Sequence, residues 1–113
     1  MTEQLTVTAS NPDGRVTVLT VSGELDRDSV HELEQAGEAA LRSGAERLVL
    51  DLHGLTFCDS SGLRVFVHLH RLADSEGASL RLAGATPPVS AVIGVVNLDR
   101  MLTLHPTVND ALS

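Results

Sequence analysis

Asp59-Ser60-Ser61-Gly62 is the stretch whose residue types and spacing offer the most chemistry. Two hydroxyls stand between a carboxylate and a glycine, directly before an apolar-rich segment that reaches Ala73 without a proline. One account is structural: Asp59 or Ser60 caps a helix by accepting a hydrogen bond from its free amides, and Gly62 lets that helix pack closely. The other makes one serine a phosphate acceptor. A phosphate here would meet free backbone N–H groups and the positive end of the helix dipole, with Asp59 opposing it. The outcome would be a large change in surface charge with little change in fold, which suits a switch read by a partner.

A helical wheel of about 100° per residue separates the two serines. Val65, Phe66, Leu69, Leu72 and Ala73 fall in one arc, the expected buried stripe. Leu63 and Val67 fall outside it, one turn apart, and Ser60 projects with them, whereas Ser61 lies nearer the buried side. The projection favours Ser60 as the accessible hydroxyl. Leu63, Arg64 and Val67 then form an exposed docking patch around it. Glu24 and Asp26 precede another helix-starting pattern, Ser29-Val30-His31-Glu32, which reads as a capping box. Should the strand before them lie beside the central strand, Asp26 would share the sheet edge of Ser60. There it would add negative charge or help orient the serine.

Catalysis has little support. His53 is near Ser60 in sequence, but Gly-x-Ser-x-Gly and an oxyanion glycine loop are missing. His68 and His70 are two apart on a helix and point to different sides, so they do not share a metal. The chain has no lysine, hence no phosphate-binding loop of the Gly-rich, Lys-terminated type. Its one cysteine, Cys58, excludes an internal disulfide and reads as a small buried residue. The expectation is a binding protein with no catalytic residue, no metal and no cofactor.

The elements that must position these residues follow from periodicity. Leu5 to Ala9 and Arg15 to Val21 alternate across Asn11-Pro12-Asp13-Gly14, predicting an antiparallel hairpin with its turn at that cluster. Val30, Leu33, Gly37, Ala40 and Leu41 recur at helical spacing, with Gly44 as a stop. Leu48 to Leu52 is a short apolar run bounded by His53-Gly54, a strand buried on both faces, followed by a link from Leu55 to Cys58 and then the long helix. Asp74 to Ala78 reads as a loop and Ser79 to Leu82 as a strand. Pro87-Pro88 opens a helix through Val96, Asn97 stops it, Met101 to Leu104 forms an edge strand, and Val108 to Leu112 a last short helix. This is an α/β arrangement in a single domain over residues 1–113. A mixed sheet of about four to five strands opens with the hairpin, and three to four helices pack against it.

Charge and composition narrow the partners. Eight arginines stand against fifteen acids, a formal charge of -7, with no basic cluster and 2% aromatics, so nucleic acid and anionic membranes are poor candidates. No apolar run approaches the ~20 residues of a membrane span, and none follows Met1, so no membrane insertion is expected. A cytoplasmic protein is the expectation.

The order of these features resembles the STAS domain, and within it the bacterial anti-sigma factor antagonists. Gly23-Glu24-Leu25-Asp26 and Asp59-Ser60-Ser61-Gly62-Leu63 carry the resemblance, and Thr86-Pro87-Pro88-Val89 and Asp110-Ala111-Leu112 extend it over nearly the whole chain. It implies a regulatory switch. The serine after the motif's Asp, here Ser60, would be phosphorylated by an anti-sigma factor that is itself an ATP-dependent serine kinase. The unphosphorylated form would bind that factor and release a sigma factor, and a serine phosphatase would reset the switch. Asp26 would belong to the same binding face. The alternative is a STAS interaction module in a sensory complex or a transport-accessory system, without the switch. Asn97-Leu98 replaces the family's frequent Gly-Leu pair, and the third helix is rich in Val around Gly94.

Overall fold

Only the first pairing of the sheet is antiparallel. The structure, a computed structural model, describes residues 4–113. Strands β1 (Thr6–Asp13) and β2 (Val16–Leu25) form the hairpin, and every later strand enters in parallel: β3 (Arg47–Cys58), β4 (Ser79–Ala83) and β5 (Thr103–His105). The sheet order is β1-β2-β3-β4-β5. Among the described residues four α-helices complete the mixed α/β fold: α1 (Val30–Arg42), α2 (Ser60–Ser75), α3 (Pro87–Val95) and α4 (Val108–Leu112). Strands laid down in chain order, with crossovers of one hand, put the crossover helices on one face. Accordingly Leu33 and Leu41 of α1, Phe66 and Leu69 of α2, and Val89 and Ile93 of α3 enter one core with Leu48, Leu50 and Leu52 of β3.

The opposite face explains the unbroken apolar run of β3. Residues one apart on a strand point to opposite faces, and Val49 packs with Val18, Ala83 and Ala111 under α4. Arg47 Nη1 and Arg81 Nη1 donate to the Leu112 and Ala111 carbonyls at 2.8 and 2.9 Å, placing cations at the negative end of that short helix. Further along the same face, Asp51 is only half-buried and accepts from the exposed His53, Nδ1 to Oδ1 2.8 Å.

Several expectations require correction. The hairpin turn is Gly14-Arg15, not the whole Asn11–Gly14 cluster, because β1 continues to Asp13 through a register shift after Ser10. Pro12 lacks an N–H, but an edge strand with a bulge does not need it. β3 does not stop at His53-Gly54: it runs on to Cys58, absorbing two register shifts against β2, so the supposed link is strand. Helix α2 continues through Ser75, and the last strand starts two residues later and ends one residue later than its apolar pattern suggested. The capping box at Ser29 is not made. Ser29 Oγ instead donates to the Glu24 carbonyl at 2.9 Å, and Asp26 Oδ1 accepts from the Asp28 and Ser29 amides at 3.0 and 3.1 Å. Asp26 closes the turn before α1 without capping the helix, and the Ser29 hydroxyl is engaged in that turn.

Gly23 lies near the end of β2 with φ of +100°, and a Cβ there would collide with the carbonyl oxygen of Gln4. Its own carbonyl accepts from Thr56 Oγ1 at 3.0 Å, tying β2 to the distal half of β3. Gly23→Ala combines backbone strain with this collision and should cost about 1–3 kcal/mol. Urea unfolding monitored by far-UV circular dichroism would show it as a lowered midpoint, and an unshifted midpoint would contradict the close approach of Gln4.

Candidate functional site

Parallel pairing of β2 and β3 ends both strands at the same sheet edge, Leu25 opposite Cys58. The chain leaves β2 into Asp26 and leaves β3 into Asp59, and the Asp59 amide donates to the Leu25 carbonyl at 3.2 Å. Asp59 caps α2: one carboxylate oxygen accepts from the Ser61 and Gly62 amides at 2.9 and 3.3 Å. Gly62 is buried, and a Cβ on it would lie 2.7 Å from Cys58 Sγ and 2.8 Å from a Leu25 methyl. The helix therefore starts pressed onto the strand ends, which leaves Ser60, its first residue, turned outward and exposed. Ser61 is half-buried. Among the described residues the Ser60 hydroxyl makes no hydrogen bond.

This cap alters one expectation. A phosphate on Ser60 would not find the Ser61 and Gly62 amides free, because Asp59 already holds them. It would instead stand beside an acidic shelf, where Asp26, Asp28 and Asp59 line one depression with Arg27, Ser60 and Ser61. Asp26 does not orient the serine, since its Oδ1 is engaged in closing the β2–α1 turn. Glu24 lies on the strand behind it, half-buried, in an adjoining depression with Asp26 and Asp28.

The other side of Ser60 is apolar. A groove of about 500 Å³ is lined by Ser60, Leu63, Arg64, Val67, Leu98 and Val96, and His68 and Arg71 extend it along α2. The wheel placed Ser60, Leu63 and Val67 on one side, as found, but treated the apolar pair as exposed. Leu63 is 7% exposed and Val67 half-buried. A single-helix projection omits the second neighbour: the chain after α3 folds over this side. Asn97 takes the left-handed conformation (φ 61°) that the motif's Gly usually supplies, and the turn brings Val96 and Leu98 to the groove. Both lining residues were missed in the sequence, where the available signal was the Val-rich end of the third helix running into Asn97-Leu98; Val96 is 48% exposed.

A family model described as "Mlab, STAS domain" matches residues 9–104. The chain belongs to the STAS domain family. An anti-sigma F factor antagonist of Paenibacillus polymyxa is 30% identical to this STAS domain over 99 residues, 87% of this chain and 85% of the relative. The crystal structure of an anti-sigma factor antagonist from Mycobacterium paratuberculosis superposes with a TM-score of 0.87 at 30% identity, covering 96% of this chain and 92% of that one. The Bacillus cell fate determinant SpoIIAA in its phosphorylated form has a TM-score of 0.74 over 95% and 96% of the two chains, but at 20% identity it speaks for the fold alone. No helix among the described residues is long and apolar enough to cross a membrane.

Cys58, directly before the cap, is buried, and desolvation followed by the Asp59 charge pushes its thiol up to about 12. Thiolate, the nucleophilic form, is therefore suppressed at neutral pH. A disulfide reagent at pH 8 should modify the native STAS domain far more slowly than the urea-unfolded chain. Since the folded state holds this proton more tightly, the contribution is intact below about pH 9 and is lost as pH climbs toward about 12. Equal labelling rates of native and unfolded protein would remove the burial on which this rests.

Proposed function

We propose that this STAS domain is an anti-sigma factor antagonist whose unphosphorylated form binds an anti-sigma factor with serine kinase activity, and that Ser60 is the residue phosphorylated. The observation that carries the reading is the position of one exposed hydroxyl, between an acidic shelf and an apolar groove, at the outermost residue of α2. Relatives named as anti-sigma factor antagonists support the partner class. The docking face we assign comprises Glu24, Asp26, Asp59, Ser60, Ser61, Gly62, Leu63, Arg64 and Val67, with Gly62 and Asp59 acting by fixing the start of α2.

The switch follows from electrostatics. A phosphoserine adds ~-1.5 to -2 charges at neutral pH. On Ser60 it would sit at the mouth of a groove whose floor is Leu63, Val67 and Leu98, beside three carboxylates. A partner covering that mouth would have to desolvate the dianion and displace it from Arg64, so binding falls. Removal of the phosphate by a serine phosphatase restores the apolar entrance. The fold need not change, because Asp59 maintains the helix cap in both states.

The test uses the purified protein with the ATP-dependent anti-sigma kinases of its own organism. Phosphate should appear on Ser60, identified by tandem mass spectrometry, and not on Ser61. Ser60→Ala should bind the kinase as the unmodified protein does yet accept no phosphate. The phosphorylated protein should bind at least about tenfold more weakly, ~1.4 kcal/mol. Phosphorylation elsewhere, or equal binding before and after it, would set this reading aside in favour of an interaction module without the switch.

A further inference from the structure

Glu34 and Glu38 stand one turn apart on α1, and His68 faces them from α2. One ligand atom from each lies within 4.8 Å of the other two. His68 Nε2 is 2.7 Å from Glu38 Oε2, while Arg42 Nη1 lies 3.6 Å from the same carboxylate's Oε1. We propose that Glu34, Glu38 and His68 form a binding site for a divalent transition-metal ion of the zinc class, clipping α1 to α2.

Three features support the assignment. The first is the donor set. Two carboxylates and an imidazole suit a borderline cation, whereas calcium and magnesium sites are built from oxygen alone. Two negative charges balance the dication, and one neutral imidazole supplies nitrogen.

The second is the backbone beneath the ligands. Gly37, between the two glutamates, lets α1 approach α2 closely: a Cβ there would come 2.7 Å from both Leu69 methyl carbons. Leu69 is the residue next to His68, and it is fully buried. The helices are thus held together by packing at the level where the three donors project. Tetrahedral zinc with bonds of about 2 Å needs donors roughly 3.3 Å apart. Small rotations of partly exposed side chains reach that spacing without moving either helix. Solvent completes the coordination from the open side, where His31 lines the same cleft as Glu34 and His68.

The third is the role of Arg42. Its guanidinium lies 3.6 Å from Oε1 of Glu38, an ion pair and not a hydrogen bond, and this leaves Oε2 as the oxygen directed at His68. Binding requires the imidazole to present Nε2 without its proton and to retain the one on Nδ1. The Nε2 proton passes to solvent as the ion enters.

His68 also lines the groove beside Ser60, so the ion would fix part of that groove's wall. The site itself does not depend on the antagonist reading, and zinc binding can be measured without any partner.

Titrating zinc chloride into the purified full chain by isothermal calorimetry should give one ion per chain. His68→Ala and Glu34→Gln, both at solvent-accessible positions, should each weaken binding roughly tenfold or more, with unchanged far-UV circular dichroism. Cobalt(II) in place of zinc should show visible bands of a four-coordinate site without thiolate charge transfer, since Cys58 is buried away from it. No binding below millimolar zinc would overturn the proposal. So would binding unaffected by both substitutions, or a thiolate signal.

Discussion

The parallel ladder between β2 and β3 is the constraint on which the rest depends. Two parallel strands finish at one sheet edge, so whatever follows each of them is brought together there. Here the last pair is Leu25 with Cys58, and the Asp59 amide bonds back to the Leu25 carbonyl. Two loops separated by more than thirty residues in sequence become one surface, with Asp26 and Asp28 from the first and Asp59, Ser60 and Ser61 from the second. The crevice beyond the carboxyl ends of parallel strands is the usual working place of α/β folds. In this chain it is shallow and acidic, shaped for a contact surface more than for an enclosed substrate.

Close packing then decides which hydroxyl is presented. Gly62 allows α2 to start in contact with Leu25 and Cys58, and a Cβ there would force those side chains or the first turn to shift. With Gly62 and Leu63 turned down, Ser60 must turn up. Asp59 fixes the turn by accepting from the Ser61 and Gly62 amides. An apolar contact, a missing side chain and a carboxylate cap, none of them a recognition group by itself, together set the exposure of one oxygen.

Much of this was legible because it rests on local rules. Alternation marked the hairpin, the Ser/Asp/Gly cluster marked the start of α2, and Asn97 marked a left-handed stop, found at φ 61°. What the sequence hid depends on distant neighbours. Leu63 looked exposed because nothing local says that Val96 and Leu98 return to it. β3 looked short because His53 and Gly54 interrupt its apolar run, while the strand bends through them by shifting register against β2. His68 was compared only with His70 along one helix; it meets Glu38 only when α1 and α2 are packed. The capping box at Ser29 failed for a local reason, competition from Asp26, which shows how several polar side chains within four residues defeat a pattern of two.

The same geometry bears on how a switch at Ser60 would have to work. Phosphate at a helix N-terminus is usually welcomed by free amides and by the dipole, and could then order or extend the helix. Here Asp59 has taken the Ser61 and Gly62 amides, and removing it to admit the phosphate would exchange one anion for another with little gain. A phosphoserine therefore has two directions left. Toward the shelf it meets Asp26, Asp28 and Asp59; toward the groove it meets Arg64, one turn along α2, over the apolar floor of Leu63 and Val67. The second is favoured by charge. In that position the phosphate lies across the entrance that an apolar partner side chain would use, so steric occlusion and desolvation act in the same direction. In the proposed switch, then, the carboxylate that caps the helix also steers the phosphate, and the response resides in the surface while the core stays as it is.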